Sequence, residues 1–170
     1  LNPAFGWNFD NFLGRLPQKI TATPDWYTFY RELRIAPLVQ QAHAAGLLDA
    51  SQVARFDRLY ARFSELFPEE APRLIHGDLW SGNFLVGPHG EPVIFDPAVS
   101  YSHREADIAM TQLFGGFAPE FYAAYNEVWP LLPGWESRID LYNLYPLMAH
   151  LNLFGTGYLP QIQAVLDRYS

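Results

Sequence analysis

The stretch His76-Gly77-Asp78-Leu79-Trp80-Ser81-Gly82-Asn83, followed by Phe84-Leu85-Val86 and Val93-Ile94-Phe95-Asp96, decides how the rest of the chain is read. Two short apolar runs separated by Gly87, Pro88, Gly90 and Pro92 predict a β-hairpin preceded by a loop. Matching the apolar residues across it pairs Phe84 with Phe95, Leu85 with Ile94 and Val86 with Val93, which sets Asn83 opposite Asp96. Opposed residues of an antiparallel pair hold their Cβ atoms roughly 4.5–5.5 Å apart. An amide oxygen and a carboxylate at that separation can serve one hard cation. Magnesium, which completes its octahedron with waters and phosphate oxygens, is the natural candidate.

Asp78 lies five residues before Asn83, and Gly77 and Gly82 let the backbone between them fold close. A second carboxylate can therefore point into the same cleft and accept a proton. A hydroxyl held between Asp78 and a metal-bound phosphate would be oriented for in-line attack, which is the logic of phosphoryl transfer.

Working outward, residues 1–22 mix aromatic residues with turn formers and read as a loop with short strands, a linker folded onto the domain. Thr23-Pro24 predicts a helix start, and the first helix runs to about Gly46 with a bend near Pro37. Asp49 or Ser51 caps a second helix, antiparallel to the first, which Pro68 ends; Val53, Phe56, Leu59, Tyr60, Phe63, Leu66 and Phe67 line one side. Beyond Asp96, helical periodicity resumes near 105–114, 119–129, 137–154 and 158–169. The expected fold is α+β and mostly α, one domain over residues 1–170 with helices around a small hairpin.

Composition bounds the partners. The 170 residues include 13 Phe, 10 Tyr and 5 Trp, enough to bury a core and too many for a disordered chain. The net charge of −7, with basic residues scattered singly, argues against nucleic acid or an anionic membrane as partner. Any phosphate chemistry must therefore import a metal or use a second domain. There is no Cys, which removes disulfides, thiolate nucleophiles and Cys-based zinc sites and is compatible with a reducing compartment; the expectation is a cytoplasmic protein.

These residues carry a resemblance. His76-Gly77-Asp78, Asn83 and Asp96 at their spacings resemble the catalytic and metal loops of the protein-kinase-like fold, in its small-molecule phosphotransferase branch. More narrowly, HGDLWSGN at 76–83, FDPA at 95–98, HREADIAM at 103–110, LFGGF at 113–117 and LYNLYPLMAHLNLFG at 141–155 are similar to the fructosamine kinase (ketosamine-3-kinase) family, as are DNFLG at 10–14 and the PQ at 17–18. The resemblance implies ATP-dependent phosphorylation of the 3-hydroxyl of a ketosamine sugar, free or protein-linked, a step that promotes deglycation. It implies Asp78 as catalytic base and Asn83 and Asp96 on magnesium. It also implies that the chain is the C-terminal lobe, because nothing in it resembles the glycine-rich ATP-binding element or the anchoring Lys and its Glu partner of an N-terminal lobe.

The sequence departs from the pattern at three places. Trp80 stands where protein kinases carry a Lys or Arg, and an indole there suits a sugar face in the acceptor site. Ser102 replaces an expected Gly, and the loop after Pro17-Gln18 lacks the usual Asn.

Each sharp reading has a plain rival. Asp78, Asn83 and Asp96 could be turn formers, but three residues at two fixed intervals in a strand context favour chemistry. His76 reads as a structural member of the loop, bonded to backbone or to Asp96. Asp107 either belongs to a solvated helix start with Arg104 and Glu105 or turns inward to hold the amides of the 76–83 loop. Trp129, Trp135, Tyr142, Tyr145, Phe154 and Tyr158 read as core groups, with one or two facing the acceptor pocket. His150 could reach that pocket, but a packed helical residue is the leading reading. The competing functions are an aminoglycoside, choline or homoserine kinase and, in another class, a non-catalytic ligand-binding module.

Overall fold

The computed structural model describes residues 4–170, so the part of the N-terminal reading that falls on residues 1–3 lies outside the described residues. Among the described residues eight α-helices and six strands follow one another in an order set by the turn formers of the sequence. The strands are three residues each and make three separate antiparallel pairs: β1 (Asn11–Leu13) with β2 (Leu16–Gln18), β3 (Arg73–Ile75) with β6 (Ser100–Ser102), and β4 (Phe84–Val86) with β5 (Pro92–Ile94). Pairs this short bury too little to stand alone. They are positioned by the helices.

The first helical run starts at Asp25, not at Thr23. The Asp25 carboxylate accepts from the Thr28 N–H at 2.7 Å and caps α1 (Trp26–Tyr30). A side chain with two acceptor oxygens, nearer the first apolar turn, wins the cap position. The expected bend is present but has another cause: a π-helical turn, Arg31–Ile35, precedes α2 (Ala36–Ala44), and Pro37 falls in the first turn of α2, where its missing N–H costs little. Asp49 and Gln52 form a reciprocal capping box at the start of α3 (Ala50–Tyr60), and a short α4 (Phe63–Leu66) completes the second helical run.

The centre of the molecule is α7 (Trp135–Phe154), buried over most of its circumference and packed against α5 (Glu105–Leu113), α2 and α8 (Leu159–Tyr169). A helix apolar nearly all round must be enclosed, and this one is. Pro146 lies inside α7 and cannot donate to the Tyr142 carbonyl. The Tyr30 hydroxyl fills that gap, donating toward the carbonyls of Leu141 at 2.6 Å and Tyr142 at 3.0 Å. Around it sits an aromatic cluster: Trp26 stacks on His103 at 4.4 Å between ring centres and on Tyr30 at 5.0 Å, with Phe5, Phe29 and Phe67 against them. The remaining helix, α6 (Pro119–Val128), lies on the outside.

Not all the aromatic residues expected in the core are there. Trp129 and Phe154 are exposed, the first because it lies beyond the end of α6 and the second because it lines an open cavity described below.

Candidate active site

The loop 76–83 and the segment 95–99 lie side by side because both are tied at both ends. On one side, β3 and β6 pair Ile75 with Ser100, and the ladder continues with the Ala98 N–H donating to the His76 carbonyl at 2.8 Å. On the other side is the β4–β5 hairpin, where the expected register is off by one. Phe84 pairs with Ile94, Leu85 with Val93 and Val86 with Pro92, so Asn83 stands opposite Phe95, whose N–H donates to the Asn83 carbonyl at 3.1 Å. Register is strongly fixed only where one face is buried. Leu85, Val86, Ile94 and Phe95 are all exposed, so the turn sets it instead, with the Gly87 N–H donating to the Glu91 carbonyl.

Asp96 therefore falls just past the ladder. It is the one residue other than glycine with positive φ among the described residues, at 55°. Asp tolerates this left-handed region better than most, and such conformations cluster at functional sites. Gly77 has φ 82°, and a Cβ there would collide with the Ala98 carbonyl, so only glycine lets the two segments approach.

The side chains then organise around Asp78. Asn83 Nδ2 donates to the Asp78 carbonyl at 2.9 Å and to its Oδ2 at 3.1 Å, which leaves the amide oxygen for another partner. The Asp78 N–H donates to His76 Nδ1 at 3.3 Å, and His76 Nε2 lies 3.0 Å from the Phe95 carbonyl. An acceptor on Nδ1 and a donor on Nε2 is one neutral tautomer, held by backbone on both sides. Beneath the loop, Asp107 on α5 turns inward: its oxygens accept from the N–H groups of His76 at 2.7 Å and Gly77 at 2.8 Å. Burial raises the Asp78 carboxyl above the ordinary carboxylate value; the hydrogen bond from Asn83 opposes this, and Asp96 adds to it. Asp107 is raised by burial and held down by its two backbone donors.

Two cavities meet at Asp78. One, of about 290 Å³, is lined by Asp78, Asp96, Pro97 and the β1–β2 hairpin residues Asn11, Phe12 and Gly14. The other, of about 320 Å³, is lined by Asp78, Trp80, Phe114, His150, Phe154 and Tyr158 among others. Trp80 lies over Gly82 and meets the Phe114 ring edge-on at 6.1 Å. Of the expected site residues, Asp78, Asn83, His76 and Asp107 are joined by hydrogen bonds, Asp96 shares a cavity with Asp78, and Trp80 shares the aromatic one. Asn83 and Asp96 are related through Asp78 rather than across a strand pair. The wall formed by β1–β2 carried no site signal in the sequence beyond the DNFLG motif, because only folding brings it to Asp78; His150, one of whose two readings placed it at the acceptor pocket, does line the aromatic cavity.

The donor types fit a hard cation: two carboxylates, Asp78 and Asp96, line one cavity, and the Asn83 amide is hydrogen-bonded to the first of them.

A sequence profile of the family described as fructosamine kinase matches residues 1–170. The chain belongs to the fructosamine kinase family. It is 44% identical over 98% of its length to a protein of Enterococcus faecium named probable ketoamine kinase, covering 61% of that relative. It is 41% identical over 97% of its length to the chloroplastic protein-ribulosamine 3-kinase of Oryza sativa subsp. japonica, covering 48% of it. A crystal structure of a candidate fructosamine-3-kinase from Thermobifida fusca superposes with a TM-score of 0.92 at 38% identity, over 98% of this chain and 58% of that one. The chain thus spans about three-fifths of the length of the bacterial relatives it matches. This fructosamine kinase family member shares the fold of that structure, and among its described residues no helix is long and apolar enough to cross a membrane.

Proposed function

We propose that these residues form the acceptor-binding and catalytic lobe of an ATP-dependent kinase that phosphorylates the 3-hydroxyl of a ketosamine sugar and so promotes its deglycation. The observation that carries this reading is the position of Asp78 on the rim shared by an acidic cavity and an aromatic one. A sugar in the aromatic cavity, its apolar face on Trp80, presents a hydroxyl to Asp78. The carboxylate orients that hydroxyl and accepts its proton as the oxygen bonds to the γ-phosphorus of ATP and the bond from that phosphorus to the bridging oxygen breaks, ADP leaving with it; a carboxyl raised by burial is a better proton acceptor than a free one. His76 and Asp107 hold the loop that carries Asp78, so the base does not have to be ordered at the moment of reaction. Asn83 and Asp96 would hold magnesium, which when bound neutralises charge on the phosphates. In this reading a separate N-terminal lobe anchors the rest of the nucleotide, and the chain is the C-terminal one.

The test is magnesium-dependent ADP formation from ATP with fructosyl-lysine as acceptor, on the protein extended to the length of its relatives. Acceptor-stimulated turnover should fall about 10²–10⁴-fold in Asp78→Asn while the circular dichroism spectrum is unchanged. A variant as active as the parent would sink the assignment, and stimulation by choline or an aminoglycoside in place of ketosamines would move the substrate.

A further inference from the structure

The aromatic cavity at Asp78 is walled by rings in series. Phe114 meets Trp80 at 6.1 Å between ring centres and His150 at 4.8 Å, and His150 meets Phe154 at 5.3 Å and Tyr158 at 5.0 Å. Local sequence builds the far end of this row. His150 and Phe154 stand four residues apart at the end of α7 and so share one face of the helix. Gly155, at φ 89°, ends α7, and a 3₁₀ turn at Thr156–Tyr158 brings the Tyr158 ring to 6.4 Å from Phe154. The pairs from Phe114 to Tyr158 are tilted at 43° to 54° and none is stacked. Stacked rings cover one another's π faces, whereas tilted rings leave them open to a ligand. Phe154 in particular is 61% exposed.

The fixed charge of the wall has one sign. Of its residues only Asp78, His150 and Tyr158 titrate, and neither Lys nor Arg lines the cavity. His150 Nδ1 lies 2.7 Å from the Pro146 carbonyl, which can only accept, so Nδ1 carries the hydrogen. In the neutral ring Nε2 is then an acceptor, and it makes no hydrogen bond among the described residues. The face of an aromatic ring attracts a cation and repels an anion. A carboxylate brought into this cavity would meet those faces and Asp78, with no cation to neutralise it.

On the ketosamine reading given above, we infer that His150, Phe154 and Tyr158 select the amine half of the acceptor by its charge. With the sugar at Trp80 and Asp78, the nitrogen lies toward the end of α7 and is held there as a protonated secondary ammonium. The substrate class is then sugar adducts of amines that have no carboxylate close by, such as alkylamines and lysine side chains, in which a four-carbon stem separates the nitrogen from the backbone. Adducts on the α-amine of a free amino acid are disfavoured, because their carboxylate is attached one carbon from the nitrogen and must enter with it.

Titration calorimetry on the protein extended to the length of its relatives tests this without requiring turnover. The ligands are 1-deoxy-1-propylamino-fructose, its neutral ether isostere 1-O-propyl-fructose, and Nα-fructosyl-glycine. The propylamine adduct should bind about tenfold more tightly than either of the others. Leucine keeps apolar area but has no π face, so Phe154→Leu combined with Tyr158→Leu should shrink the amine-to-ether ratio to about threefold or less, the remainder coming from Asp78. Should the double variant fail to fold, Phe154→Leu alone, at the more exposed position, should still lower the ratio. Equal binding of amine and ether, a ratio unchanged in the variants, or a glycine adduct bound as tightly as the propylamine one overturns the inference and leaves the kinase reading standing. If none of the three ligands binds, the ketosamine reading falls and the inference falls with it.

Discussion

Both oxygens of Asp107 are committed to backbone N–H groups of the loop, a task that a carboxylate performs and an amide cannot. Asp107→Asn would turn an NH2 toward one of those donors and leave it unsatisfied. The expected cost is about 2 kcal/mol in urea unfolding, with lower turnover because the loop loses its support. Asp78 behaves in the opposite way. Its folded pKa is raised, so its ionised form is a burden on the fold, and that burden grows as pH rises above the unfolded value. Asp78→Asn should therefore unfold at the same or a higher temperature at pH 7 while losing transfer, and a clear drop in Tm would contradict this. At this scale the sequence was informative where residues are close in the chain. Asp78, Asn83 and Asp96 could be read from type and spacing. The inward turn of Arg104 and Glu105 could not, because their partners Glu70 and Arg138 are more than thirty residues away.

The helices were legible as elements, and for a physical reason: a helix closes its own hydrogen bonds, and its caps and periodicity are local. The Asp49–Gln52 capping box is one such signal. Asp49→Ala should cost about 1 kcal/mol of stability, measured by chemical unfolding, with activity per folded molecule unchanged. The strands were not legible to the same degree. Three residues carry too little alternation to announce β3 or β6, and the β4–β5 register could not be fixed by apolar matching because the hairpin buries neither face. The π-turn at Arg31–Ile35 is likewise silent in sequence; it is the tertiary position of Arg34 that distinguishes it.

At the scale of the molecule, the aromatic core holds a histidine. His103 stacks on Trp26, lies 2.9 Å from the Tyr142 hydroxyl through Nδ1, and is pushed down to about 3 by burial, with Arg138 adding to the effect. The unfolded chain binds a proton at His103 below about 6.5, the folded one only near 3. Stability from this group is thus complete above about 6.5 and is lost as pH falls toward 3. Between pH 6.5 and 5, where ordinary carboxylates remain ionised, Tm of the parent should fall as acid is added, and His103→Gln should flatten that slope.

The sequence by itself determined the helical elements, the predominance of α over β, and the motif residues Asp78, Asn83 and Asp96 on which the proposed chemistry rests, all of which depend on neighbours within a few turns of chain. Only the tertiary structure decided the hairpin register, the cavity shared by Asp78 and Asp96, the aromatic wall with His150 and Tyr158, and the burial of Arg34. Each of these is a relation between segments far apart in the chain, and the energy that fixes it, burial against a particular partner, does not exist until the chain has folded.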